Sequence, residues 1–369
     1  MASIVLYLKK YFSPAEIDSP KTNNFNILRF FAAFTVIYGH MSSIMGYAAF
    51  PLLSQRVSTI GVKIFFTVSG FLITKSFLSD PHFGRYMVRR CFRIFPALIV
   101  LVLLSAFVVG PVFTTLSVSE YFTHPQTWQY LKNALLSPVY ALPGVFSDCP
   151  YPNAVNGSLW TLPVEFFMYL LLPPLALLFK RLGSVKWGMG ACAVLTLAAA
   201  ILQTTLFPTA RLVIYGTNWF DLLPLLPYYF IGSFFSFSET RKYLNLQMAI
   251  VLLVLAVLVP GYTVYNELAV VIALPYFILS FSLAPRPLFS KWFAKSDYSY
   301  GLYLYGFVIQ QILYALIKPV TIGVLPMALL SFAVTLVFAV LSWHLIEKNA
   351  QRVAAALLKR IGKPKEIRP

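Results

Sequence analysis

Apolar residues in this chain come in blocks of roughly twenty, separated by short polar or proline-rich breaks. A helix needs about twenty mostly apolar residues to cross the hydrocarbon core of a bilayer. On that rule the pattern predicts ten spans, at 25–47, 58–78, 93–112, 158–179, 188–207, 219–238, 247–264, 266–284, 299–317 and 324–345. The stretch 247–284 is one apolar run interrupted by Pro260-Gly261, and it is read as two spans joined by a tight turn. Ahead of the first span, Ile4 to Leu8 is too short for the apolar core of a secretory signal, and Lys9-Lys10 follows it instead of preceding it. Residues 1–24 are expected to be a cytoplasmic segment, with a short amphipathic helix on the membrane surface. The fold class is all-α: a polytopic membrane protein with a transmembrane domain at 25–345 and a basic cytoplasmic tail at 346–369.

Composition sharpens this. The 369 residues are 59% hydrophobic, 17% aromatic and only 11% charged, whereas soluble domains are about 25% charged. Cys91, Cys149 and Cys192 have neither metal-binding nor disulfide-framework spacing, so no metal site is expected.

The net charge of +17 resolves by side. With the N-terminus in the cytoplasm and ten alternating spans, 24 of the 29 basic residues fall on the cytoplasmic half, with seven of the 12 acidic ones. The whole excess is then a positive-inside signal that places both termini in the cytoplasm. It requires no nucleic-acid partner, and no nucleic-acid motif is visible. The longest non-helical stretch, 113–157, falls on the outer face and holds Pro125, Pro138, Pro143, Pro150 and Pro152. It is too long for a passive connector, which points to a functional or partly re-entrant loop.

Ionisable residues inside spans cost at least ~2.5–3.5 kcal/mol each on insertion scales and survive when paired or lining a cavity. Arg29 and His40 are eleven residues apart, close to three helical turns, so they share a face with a rise of ~16 Å between them. Glu165 lies at the depth of His40 on the fourth span, where a carboxylate could hold the imidazole and stabilise its protonated form. Lys63 lies near the same depth and could take Glu165 instead. A lone intramembrane His is better explained by a bond inside the bundle, and the matched Arg on its face shifts the reading toward function. Arg89-Arg90-x-x-Arg93, at the cytoplasmic mouth of the third span, offers three guanidinium groups for phosphate; an ordinary anchor on anionic lipid explains them too. His82, His124 and His344 are expected to be bland. Asn156-Gly157-Ser158 matches a glycosylation sequon but is read as the turn into the fourth span.

These residues fall in segments that resemble the acyltransferase-3 membrane proteins, which O-acylate bacterial surface glycans. The segments are Asn24 through His40, Gly61 through Ile73, Arg89 through Pro96, Asn156 through Glu165, Ser299 through Tyr305, and Ile346-Glu347. The resemblance implies ten helices in the bacterial cytoplasmic membrane, a cytoplasmic acyl-CoA donor and a glycan acceptor on the far side, such as O-antigen or exopolysaccharide. The family's Arg-x10-His motif falls on Arg29 and His40, its Arg-rich motif on Arg89, Arg90 and Arg93, and its Trp-and-Glu motif on Trp160 and Glu165. Two positions depart: many members have an acid where this chain has Lys63, and a His where it has Gly306.

The expected reaction is acyl transfer, acetyl by default. The CoA phosphates would lie on Arg89, Arg90 and Arg93 with Arg29 assisting. His40 would act as general base on a sugar hydroxyl, Glu165 would orient it, and Trp160, Ser69 or Lys63 would donate to the oxyanion. Asp148, Asn153 and Asn156 of the long loop would meet the glycan. The competing reading is a transporter or flippase for a lipid-linked sugar, with Arg29, His40 and Glu165 as a proton relay; the paired interrupted helices of inverted repeats are not seen.

Overall fold

The computed structural model describes residues 23–261, 263–284, 296–318 and 322–361. The short amphipathic helix expected within 1–24 therefore lies almost wholly outside the described residues, as does the tail beyond 361. The regular secondary structure described is helical apart from two minimal antiparallel hairpins, Pro51–Leu52 with Gln55–Arg56 and Val213–Ile214 with Thr217–Asn218.

The main helices are α1 (Phe25–Ile44), α2 (Val57–Ser79), α3 (Phe83–Leu104), α4 (Thr161–Arg181), α5 (Val185–Leu206), α6 (Leu226–Phe234), α7 (Leu246–Val257), α8 (Val264–Ser282), α9 (Ser299–Ile317), α10 (Val324–Ser342) and α11 (Lys348–Ile361). Among the described residues eight helical stretches are long and apolar enough to cross a membrane, not ten. The two that fall short are α6 and α7. At 1.5 Å per residue, nine and twelve residues span only ~13 and ~18 Å of a core about 30 Å thick. The expected 219–238 span is instead a 3-10 turn, Trp219–Asp221, followed by the short α6. The 247–284 run does divide near Pro260-Gly261, into α7 and α8.

Helix α6 is enclosed by protein. Its Tyr228, Tyr229 and Phe230 are buried, and it packs on α2 and α5. A Cβ at Gly70 of α2 would overlap the Tyr229 carbonyl, and one at Gly232 of α6 would overlap the Thr67 carbonyl. The two glycines let the backbones touch, the small-residue packing typical of membrane helices.

Helix α3 begins at Phe83, capped by the His82 side chain, whose Nδ1 accepts from the Arg85 N–H. It continues through a π turn, Ser105–Val109, to Phe113. Arg89, Arg90 and Arg93 thus stand about two to three turns after the helix start. The long loop is an ordered cap on the far end of α3. Tyr121 and Tyr130 are fully buried in it, and the Tyr121 hydroxyl donates to the Ala106 carbonyl of the π turn at 2.8 Å.

Helix α1 packs against α2, α9 and α10. It runs parallel to α9: Arg29, near the start of α1, meets Asp297 just ahead of α9, and His40, eleven residues on, meets Phe307, ten residues on. A second π turn, Trp343–Glu347, carries α10 on into α11, which packs against α3.

Candidate functional site

A cavity of about 500 Å³ opens between α1, α2, α3, α4, α6, α9 and α11. Arg29, Arg89, Arg90 and Arg93 line one end, with Asp297, Trp343 and the Gln351 and Leu358 side chains of α11. Ser69, Glu165, Tyr169 and Tyr229 line its middle, and Phe65, Thr161 and Tyr303 its other end.

The arginines are not equivalent. Asp297 Oδ2 accepts from Arg29 at 2.5 Å and from Arg93 at 2.6 Å. Burial alone would raise the Asp297 carboxyl, but the charges of Arg29 and Arg93 reverse this and hold it well below the usual carboxylate range. Arg93 also reaches Glu347 at 3.3 Å. Glu347, 2% exposed, accepts from Ser342 at 3.0 Å, both set at the π turn. Arg85 and Arg89 share Asp80, Arg89 at 3.0 Å. Hydrogen bonding from Arg85, helped by Arg89 and opposed by burial, holds the Asp80 carboxyl at about 2. Arg90 differs. It donates to Ser76 Oγ at 3.2 Å and lies over the rings of Tyr86 and Tyr169, at 5.6 and 5.7 Å from their centroids. Among the described residues it has no carboxylate partner.

The expected His40–Glu165 pair does not form. The Tyr169 hydroxyl donates to Glu165, while half-buried His40 sits edge-on to Phe307, 5.2 Å between centroids. The depths agree, but α1 packs against α2, α9 and α10, so equal depth does not become contact. Nor does Lys63 reach Glu165. Fully buried, it donates to Gln55 at 2.7 Å and to Glu267 at 2.9 Å, with the Tyr228 ring 4.9 Å away. It ties α2, the first hairpin and α8 together outside the cavity.

The remaining expected residues divide. Ser69 lines the cavity; half-buried Trp160 does not, and packs against the core. Asp148 and Asn153 are exposed on the long loop. Asn156 is fully buried: its Oδ1 accepts from the Ser158 N–H at 3.0 Å and its Nδ2 donates to the Leu304 carbonyl at 2.9 Å. That makes it the cap of the turn into α4 and a tie to α9, so its amide is committed within the protein. Sequence reasoning missed Asp297 as a partner and gave Glu347 no role. The one signal for Asp297 was an acid two residues ahead of the Ser299–Tyr305 segment.

A family profile described as an acyltransferase domain, the acyltransferase-3 type, matches residues 22–344. The chain is 28% identical over 337 residues to an O-acetyl transferase of Shigella phage Sf6, covering 89% of this chain and 96% of that protein. It is 29% identical over 369 residues to nodulation protein 10 of Rhizobium leguminosarum biovar viciae, covering 94% and 97% respectively. It is 26% identical over 324 residues to the peptidoglycan O-acetyltransferase OatA of Listeria monocytogenes, covering 78% of this chain and 50% of that protein. No solved structure matches it. A profile match over most of the chain, on a bundle whose central cavity is lined by four arginines, leads to one conclusion: the chain belongs to the acyltransferase-3 family and is a multi-pass membrane O-acyltransferase.

Proposed function

We propose that this protein transfers an acetyl group from cytoplasmic acetyl-CoA to a hydroxyl of an extracytoplasmic glycan, in the bacterial cytoplasmic membrane and with both termini in the cytoplasm. The observation that carries the reading is the cavity, which begins at four arginines and ends at Tyr303, one helical turn of α9 before the Phe307 that touches His40. Membership of an enzyme family argues against the transporter reading. The names of the phage and Listeria relatives support acetyl as the group and a glycan as the acceptor.

In this reading the arginine end faces the cytoplasm and receives the CoA phosphates, Arg90 foremost because no carboxylate among the described residues competes for it. The pantetheine arm runs along α1 and α9, and the ~16 Å rise from Arg29 to His40 matches its reach. His40 takes the proton of the acceptor hydroxyl as its oxygen attacks the thioester carbonyl. The carbon–sulfur bond then breaks, and the departing thiolate takes the proton back from His40. Glu165, bonded to Tyr169 inside the cavity, acts on the donor side and does not orient His40. The acceptor arrives across the long loop, where exposed Asp148, Asn153, Tyr140 and Tyr151 offer polar and aromatic contacts.

The test uses the full-length protein in lipid nanodiscs with acetyl-CoA and an O-polysaccharide acceptor. Release of free thiol and acetylation of the glycan by mass spectrometry are expected. His40→Ala should abolish both and leave CoA binding intact; undiminished turnover would remove His40 from the reaction.

A further inference from the structure

The cavity end remote from the arginines holds two hydroxyls beside Phe65. Tyr303 of α9 and Thr161, the first residue of α4, have their oxygens 2.6 Å apart. Both point at one backbone acceptor, the carbonyl of buried Ser158, from 3.1 Å for Tyr303 and 3.4 Å for Thr161. Each hydroxyl carries a single hydrogen, and a buried carbonyl requires one donor. Two hydrogens therefore serve one obligatory acceptor. The second hydrogen bridges the two hydroxyls, and it can turn to a ligand oxygen without stripping Ser158. Either hydroxyl can fill either role.

Position gives this spare hydrogen its meaning. Along α9, Tyr303 stands ~6 Å beyond Ser299, which bonds Asp297, and ~6 Å before Phe307 at 1.5 Å per residue. It lies between the arginine end and the His40 layer, with the Phe65 ring against it at 5.6 Å. Of the three donors expected for the oxyanion, Lys63 is committed to Gln55 and Glu267 and Trp160 lies off the cavity. Only Ser69 remains beside this pair.

We propose that the Tyr303–Thr161 hydroxyl pair is the donor that polarises the thioester carbonyl and holds the oxyanion. This rests on the cavity being the acyl-CoA site. As the acceptor oxygen adds to the carbonyl carbon, negative charge moves onto the carbonyl oxygen, and the spare hydrogen meets it there. When the carbon–sulfur bond breaks, the charge leaves with the thiolate and the hydrogen returns to the pair.

The shared hydrogen makes a prediction that two independent donors would not. In Tyr303→Phe the Thr161 hydrogen must serve Ser158, and in Thr161→Val the Tyr303 hydrogen must. Each single variant is expected to lower kcat on the order of 10²-fold, the cost of one oxyanion donor. The double variant should lower it no further, the KM for acetyl-CoA should hold, and Thr161→Ser should retain the rate. Isotope-edited infrared spectra of bound acetyl-CoA should show a carbonyl stretch lowered in the parent protein and restored in both single variants. Single variants within three-fold of the parent, effects that multiply in the double, or a comparable loss confined to Ser69→Ala would each overturn the proposal while leaving the acyl-CoA site standing. A parent protein that turns over no acetyl-CoA would overturn that site and this proposal together.

Discussion

Arg90 and Arg93 stand three residues apart on α3, yet the structure assigns them different losses on substitution. Arg93 is bonded to Asp297 and to the buried Glu347, and only Ser342 would remain on Glu347 without it. Removing one partner from a buried ion pair costs about 3–5 kcal/mol, because the other charge stays behind unpaired. Asp297 keeps Arg29, which places Arg93→Met toward the lower part of that range. Arg90 has Ser76 and two aromatic faces, and its loss strands no carboxylate. Met preserves most of its apolar stem. A charge-assisted bond to phosphate is worth about 1.5–3 kcal/mol, or about ten- to 150-fold in affinity at 1.4 kcal/mol per decade. Arg90→Met is thus expected to raise the KM for acetyl-CoA at least ten-fold, with kcat and melting temperature nearly unchanged. Arg93→Met is expected to lower the melting temperature by several degrees. The assay is acetyl-CoA titration of thiol release in nanodiscs, paired with thermal unfolding in detergent. An unchanged KM in Arg90→Met, together with a raised KM and no loss of melting temperature in Arg93→Met, would refute these separate roles.

Asp80 joins Arg85 and Arg89 at the start of α3, and its carboxyl is held at about 2 against an ordinary 3.8. A depressed carboxyl stabilises the fold above its ordinary value and loses that effect as pH falls toward its folded value. The melting temperature of Asp80→Asn should therefore lie below the parent's at pH 7, and the gap should close between about pH 4 and pH 2. A gap independent of pH would show that the ion pair is not its source. Lys63→Met should lower thermal stability through the loss of Gln55 and Glu267 contacts and leave the KM for acetyl-CoA within two-fold; a large KM change would place Lys63 in the cavity's work. Glu165→Gln should leave the pH dependence of turnover in place, since Tyr169 and not His40 contacts the carboxylate. A shift of that profile by a full unit would put Glu165 back on the imidazole.

What the sequence determined by itself is what depends on local pattern. Blocks of apolar residues identify the membrane class, because the cost of exposing a backbone to lipid is met within each helix. The break at Pro260-Gly261 and the turn at Asn156-Gly157-Ser158 were legible for the same reason. So was the Arg29–His40 spacing, because the rise of one helix is constant. The shortness of α6 was not legible, since it is enclosed by α2 and α5, and the close glycine contacts that hold it against α2 join distant segments.

Partner choice belongs to the tertiary structure alone. His40 and Glu165 share a depth, yet depth fixes one coordinate, while contact also requires neighbouring helices turned face to face. Helix α1 turns toward α9, so His40 meets Phe307, and α4 presents Glu165 to the cavity and Tyr169. Lys63 found Glu267, about two hundred residues away, through the packing of α2 on α8. Asp297 and Glu347 came to Arg93 from two distant segments. Hydrophobic pattern selects which residues enter the membrane; the rotation and neighbours of each helix decide which buried charges meet.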